Sequence, residues 1–279
     1  MTDAAPSIQR CTLSVWQKGA LPEPLNSSSF VPNPSQLRYH LLVSVILHRS
    51  PAGPRPLVII GAGGFGRELL DIVEVIGSAE HRFIGFLDDG VRDQDLVSAR
   101  SAVVLGPVAT LAEIDAEYLI GISNPGVRRQ IDNFARSLGR IAPVVIHPAA
   151  TIGSLVRLGP GTVVCAHASL TSNITVGRHC QINPQSTIGH DAVLEDFVTI
   201  LPGCNISGNV YLEAGSTMGT NSSVIQGRRI GARATIGAGA VVVRDIPPGV
   251  TAAGVPARIR SDSQSELDAT HWSVGRSIF

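Results

Sequence analysis

The stretch "TIGHDAVLEDFVTILPGCNISGNV", Thr187–Val210, decides the fold. Ile188, Leu194, Ile200 and Ile206 recur at every sixth residue, and Ala192, Val198, Cys204 and Val210 follow each of them by four. Extended in both directions, the first series runs Ile146, Ile152, Leu158, Val164, Leu170, Val176, Ile182, then through the quoted stretch to Leu212, Met218, Val224, Ile230 and Ile236. Every member is aliphatic or Met, and the register never slips. The second series, from Ala150 to Ala240, is small or apolar throughout except at Arg228. A period of six held this long marks a hexapeptide-repeat parallel β-helix.

Each hexad supplies one short strand and one corner. The aliphatic residue points inward, the small residue four positions on packs beside it, and Gly or Asn meets the backbone demands of the corner. Three hexads close a triangular turn, so equivalent positions recur every eighteen residues, and successive turns stack as parallel strands roughly 4.8 Å apart. Such a narrow interior suits an aromatic content of only 4% with 29 glycines. Cys180 and Cys204 fall in the inward series and read as core thiols.

Residues 57–145 alternate strand and helix. "LVIIGAGGFGRELLDIVEVIG" (Leu57–Gly77) is a strand, a Gly-rich turn and a helix with Leu69, Leu70, Val73 and Ile76 at helical spacing. "RFIGFLDDG" is a second strand ending in Asp88 and Asp89, "AVVLGP" a third, "VATLAEI" a short helix and "EYLIGIS" a fourth strand. A helix begins near Pro125, and "APVVIHP" closes the unit. Strands separated by helices predict a Rossmann-like parallel sheet. The chain thus divides into a poorly ordered extension over 1–56 (or an early start codon), holding eight of the 18 prolines; an α/β domain over 57–145; a β-helix over 146–258; and a tail over 259–279, expected to be loose and anchored by Trp272.

Composition excludes several classes. Net charge is zero and no block of like charges occurs, so nothing points to nucleic acid or an anionic membrane. The longest N-terminal apolar run, Leu41–Leu47, falls short of the ~20 residues of a membrane-spanning helix. The four cysteines (Cys11, Cys165, Cys180, Cys204) show neither CxxC nor zinc spacing. These features predict a cytoplasmic protein that needs no metal.

Two motifs can carry chemistry. "GAGGFG", Gly61–Gly66, reads G-x-G-x-x-G between a strand and a helix, where backbone N–H groups and the helix N-terminus can meet an anion. Asp88 and Asp89 end the next strand, where a ribose-reading carboxylate would lie. A ligand-free tight turn is the structural alternative. The unit is short for a dinucleotide fold, so a nucleotide-linked small molecule fits better. His190 lies outside the inward series and should face outward beside Asp191. Imidazole next to carboxylate makes a reasonable general base, and a solvated surface histidine is the alternative. Gly208 lies eighteen residues on, one turn up, where its N–H could meet a developing oxyanion. Arg228 reads as a bulge or a snorkelling side chain, or as a charge turned to a phosphate.

Together, "LVIIGAGGFGRELLDIVE", "FLDD", "IGISNP", "INPQSTIGHDAVLEDFV", "NISGNVYLEAGSTMGTNSSVIQ" and "AAGVPAR" resemble the NeuD/PglD-type bacterial sugar acyltransferases, over roughly residues 57–260. The resemblance implies a homotrimer of left-handed β-helices with acetyl-CoA between neighbouring prisms and a sugar or nucleotide-sugar acceptor held with help from the N-terminal domain. It maps the base to His190 and its acidic neighbour to Asp191. Substrate contacts map to Gly63, Gly64, Phe65, Asp88, Asp89 and Gly121, and acetyl-CoA contacts, mostly through backbone groups, to Thr199, Gly208, Thr220 and Ala238. Phe65 stands where many members carry His, which leaves the acceptor open, and Thr199 replaces a histidine found in some. The choice between O- and N-transfer also stays open. Three other classes compete. A hexapeptide-repeat metalloenzyme would need three converging histidines, and the four in the repeat lack that pairing. A nonenzymatic sugar-nucleotide scaffold would leave His190 and Asp191 unused. A nicotinamide dehydrogenase finds no substrate domain after Ile146.

Overall fold

The structure, a computed structural model, describes residues 53–260 apart from 78, 80 and 91–93. The expectations for Cys11, Leu41–Leu47, Trp272 and most of the extension and tail therefore lie outside the described residues.

The first strand, β1 (Arg55–Ile60), starts two residues before the expected boundary. It leads through the Gly-rich turn into α1 (Gly64–Ile76), followed by β2 (His81–Leu87), a short α2 (Gln94–Ser98), β3 (Val104–Gly106), a 3-10 turn over Val108–Ala112, β4 (Glu117–Ile120) and α3 (Pro125–Ser137). The four strands are parallel in the order β3-β2-β1-β4. β1 lies centrally and β4 at one edge, and their segments Leu57–Ile60 and Tyr118–Ile120 read as continuous apolar runs because both faces of this part of the sheet are covered. Leu57 and Ile59 pack with Leu69, Leu70 and Val73 of α1; Val58, Ile60 and Tyr118 pack on the other side with Ile131 and Ala135 of α3. α2 carried no periodic signal in the sequence. α3 starts where expected: Pro125 takes the first helical position, and the Asn124 side chain accepts from the N–H groups of Gly126 and Val127 at 2.9 and 3.1 Å.

"APVVIHP" does not close this sheet. Val145 and Ile146 pair with Val163 and Val164 and open the β-helix instead. From there the chain winds a left-handed prism with three faces of short parallel strands. Face I contains Val145–Ile146, Val163–Val164, Gln181–Ile182, Thr199–Ile200, Thr217–Met218 and Thr235–Ile236. Face II contains Thr187–Ile188 and Asn205–Ile206 among others, and face III Thr175–Val176, Val193–Leu194 and Tyr211–Leu212. Partners lie eighteen residues apart, as in Thr187↔Asn205 and Asn205↔Ser223. The inward series forms one continuous apolar core that includes Cys180 and Cys204, while Cys165 sits at the junction with the α/β domain.

The corners work differently from the expected assignment. The left-handed residue comes three after the aliphatic one and is often not glycine: Leu155, Asn173, His179, Asp191, Phe197, Asn209 and Asn221 all have φ between 48° and 63°. The glycine directly after the aliphatic residue has a separate reason. A Cβ on Gly189 would lie 2.5 Å from the Gly208 nitrogen, so the backbones approach too closely there for a side chain. The coil also outlasts the sixfold series. Val241–Val242 adds a strand to face II, Ile246 bridges to Ile230, and Thr251–Ala253 pairs with Thr235–Ile236 after a shortened turn. Arg258–Ile259 then folds back antiparallel and ends the stack.

Candidate active site

The prism has three edges, and the chain treats each differently. The edge between faces III and I is covered by its own α/β domain. Arg128 of α3 is 1% exposed and spans the junction: Nε donates to His179 O at 3.1 Å, Nη1 to Ser123 O at 2.6 Å, and Nη2 to Phe197 O at 2.7 Å and Thr199 Oγ1 at 2.9 Å. Burial pulls its pKa down to about 10. Beside it the buried Asp132 accepts from Tyr118 Oη at 2.6 Å and Arg178 Nη2 at 2.7 Å, and lies 2.8 Å from His179 Nε2. Burial alone would raise the Asp132 carboxyl, but hydrogen bonds from His179, Arg178 and Tyr118 hold it below the usual carboxylate range. Burial dominates at His179 and lowers its pKa, keeping the ring neutral between the Tyr118 and Phe197 rings. None of this network was read from the sequence. Arg128 and Asp132 are i, i+4 polar residues on an otherwise amphipathic helix, a pattern that usually faces solvent.

Thr199 lies in that junction. It was expected among the acetyl-CoA contacts, but it is 1% exposed and bound to Arg128, with Ser123 O 3.4 Å from its hydroxyl. Its place is in the domain joint, where no side-chain surface remains for a ligand.

The edge between faces II and III carries His190 and Asp191. His190 Nδ1 lies 2.6 Å from Asp191 Oδ2, and the side chains are 53% and 42% exposed, so the imidazole faces outward as its place in the hexad predicts. Asp191 is itself a left-handed corner residue with φ 61°, a conformation Asp tolerates better than most residues. Gly208 lies directly against the ring: a Cβ there would sit 2.6 Å from His190 Nε2 and 2.7 Å from Cε1. Among the described residues the Gly208 N–H donates to no backbone carbonyl. Asn183, missed in the sequence, follows the Gln181–Ile182 strand of face I, at the edge toward face II; it is buried and donates to Ile200 O at 2.8 Å. Arg228 turns outward at the same edge, 3.7 Å from Asp245, with no bulge in the strand pairing beside it.

The edge between faces I and II carries Thr220 and Ala238, both exposed and stacked one turn apart. They share no edge with His190 and Gly208.

The Gly-rich turn is built as the sequence implies. Gly61 has φ 98°, and a Cβ on Gly66 would lie 1.8 Å from Gly61 O. Gly121 is buried behind the turn, where a Cβ would lie 2.4 Å from Gly66 Cα, so close packing accounts for this glycine. Gly63 caps α1 without a side-chain bond, and Gly63 and Gly64 are exposed. Phe65 packs partly against the core of the sheet. Asp88 braces the turn, with Oδ2 accepting from Ala62 N at 2.7 Å and Oδ1 from Gly90 N at 2.8 Å; Asp89 Oδ1 accepts from Val108 N at 2.8 Å. The pair therefore shapes the mouth of the sheet.

Comparison with known proteins fits both halves. Residues 56–133 match the PglD N-terminal domain. The acetyltransferase domain of PglB from Neisseria gonorrhoeae, solved with acetyl coenzyme A, is 34% identical, with a TM-score of 0.69 over 75% of this chain and 100% of that one. The chain belongs to the NeuD/PglD-type sugar acetyltransferase family. Within it, perosamine N-acetyltransferase from Caulobacter crescentus, solved as a histidine-to-asparagine variant with CoA and GDP-perosamine, is 28% identical with a TM-score of 0.69 over 76% of this chain and 99% of that one. GDP-perosamine N-acetyltransferase of Escherichia coli O157:H7 is 29% identical over 225 residues, 75% of this chain and 98% of that protein. Among the described residues no group of three or more His, Cys, Asp and Glu could hold a metal ion, and no helix is long and apolar enough to cross a membrane.

Proposed function

We propose that this family member moves an acetyl group from acetyl-CoA to the amine of a nucleotide-linked amino sugar, with His190 as general base. The observation that carries the reading is the outward His190–Asp191 pair lying over Gly208, on a chain that also presents an open Gly-rich turn. The relatives that act on or bind GDP-perosamine favour an amine acceptor over a hydroxyl.

Bound acetyl-CoA supplies an activated thioester carbonyl. Asp191 receives the Nδ1 proton of His190 in a hydrogen bond, which leaves the Nε2 lone pair to take a proton from the attacking amine. The adjacent Gly208 N–H is placed to donate to the carbonyl oxygen as negative charge builds there. His190 then returns its proton to the departing thiolate, and no residue needs to be acylated. The location of Thr220 and Ala238 on a different edge supports a site shared between copies: the His190 edge of one prism faces the Thr220–Ala238 edge of the next. Cyclic closure of that contact forms a trimer.

The test is a CoA-release screen of the pure protein against GDP-, UDP- and dTDP-linked amino sugars, with sialic acids as hydroxyl acceptors. Turnover is expected with an amino sugar, and His190→Ala should lower kcat/KM by about 10²–10⁴. Wild-type turnover in that variant would remove His190 as the base, and acetylation of the hydroxyl acceptors alone would overturn the amine reading.

A further inference from the structure

The Asp191 carboxylate has a second partner. Asn173 lies eighteen residues earlier, one turn below on the same edge, and its Nδ2 donates to Asp191 Oδ1 at 2.6 Å. The other carboxylate oxygen, Oδ2, meets His190 Nδ1 at the same distance. Each oxygen therefore has its own donor, and the carboxylate cannot turn without losing one of them. Both residues occupy left-handed corners, with φ 56° and 61°, which sends the two short side chains off the prism in parallel. The corner conformation alone does not require this contact. Asn209 continues the column with φ 55°, yet its side chain makes no hydrogen bond among the described residues. The imidazole is half exposed, so packing does little to orient it, and the two hydrogen bonds carry that task.

From this geometry we infer that Asn173 is a positioning residue: it locks the Asp191 carboxylate so that His190 keeps its proton on Nδ1 and offers Nε2 to the acceptor. The inference rests on the reading of His190 as base. Being neutral, the Asn173 amide orients the pair without adding charge at the site. Consistently, the Asp191 carboxyl is held below its ordinary range, by the Asn173 hydrogen bond first and by His190 second.

The experiment uses the full chain and Asn173→Gly, because glycine accepts the left-handed corner without strain while removing the amide. Asn209→Gly is the matched corner control. Nitrogen NMR of histidine-labelled protein reports the ring tautomer, with the His190 signals assigned by their loss in His190→Gln, and needs no acceptor. Wild type should show the Nδ1–H form. Asn173→Gly should shift toward the mixture of a free imidazole, and Asn209→Gly should not. With an acceptor from the screen, kcat should fall roughly tenfold, as for loss of other partners that orient a functional histidine. On an Asp191→Gly background, Asn173→Gly should cost nothing further. An unchanged tautomer, or a loss that adds in full to that of Asp191→Gly, overturns the inference and leaves the base assignment standing. Wild-type turnover in His190→Ala removes the base and the inference with it.

Discussion

His190 depends on what its neighbours lack as much as on what they supply. Asp191 gives its ring a fixed partner, and Gly208 gives it room: any Cβ at 208 would occupy the space next to Nε2. Gly208→Ala is therefore expected to push the ring off its position and lower kcat at least tenfold, because small misplacements of a catalytic group cost rates of about 10². Stability should barely change, since the displaced ring is half exposed and can swing into solvent. Paired kinetics and thermal unfolding check this; a fall in both together would show that the backbone, not the ring, had moved. The sequence made His190 visible because the register leaves its position free, and stepping eighteen residues led to Gly208. The same step backward from Asp191 leads to Asn173, which was legible in principle. It passed unnoticed because Asn is also what a left-handed corner selects.

The joint between α3 and the prism shows the opposite case. Each element was readable: α3 from Asn124, Pro125 and its amphipathic spacing, and the prism strands from the sixfold series. Their mating was not, because it is built from polar side chains that each element alone would present to water. Arg128 satisfies carbonyls from both domains, and Asp132 gathers Tyr118, Arg178 and His179. The joint makes folding sensitive to acid. His179 is buried neutral with a lowered pKa. As pH falls through the ordinary histidine range near 6.5, the unfolded chain binds that proton first and stability declines. Asp132, also lowered, adds a loss of the same sign at pH values below the ordinary carboxylate pKa. The unfolding temperature should thus drop between about pH 7 and pH 5. His179→Asn, which tolerates the left-handed corner, should flatten that interval and leave the steeper loss at lower pH in place. Thermal scans across pH test both expectations, and an unaltered slope in the variant would assign the effect to other groups.

For the whole chain, the division of the three edges has a consequence for assembly. One edge is sealed by α3, one carries His190 and Gly208, and one carries Thr220 and Ala238. A site between copies predicts complementation. His190→Ala chains and Ala238→Trp chains should each be nearly inactive alone, yet if the proposed cyclic assembly forms, mixed assemblies should recover about a quarter of wild-type activity, since random association leaves that share of interfaces intact on both sides. Activity of co-expressed, co-purified mixtures measures this, and no recovery would argue for a site within one chain.

Periodicity carried the architecture. An inward aliphatic residue every six positions and strands alternating with helices are local patterns, imposed by how far one residue's side chain can reach, and they are written directly in the chain. The outward position of His190 came with them. The partnership of distant surfaces was not written there. Thr199 matches a ligand-contact position by motif, yet it is buried under Arg128; Asp88 and Asp89 look like free carboxylates, yet they are spent on backbone N–H groups. Whether a polar group faces a ligand, a solvent or another domain depends on which elements dock against it. That is set by packing and hydrogen-bond satisfaction across the folded chain, where an unpaired buried donor or acceptor costs about 1–3 kcal/mol.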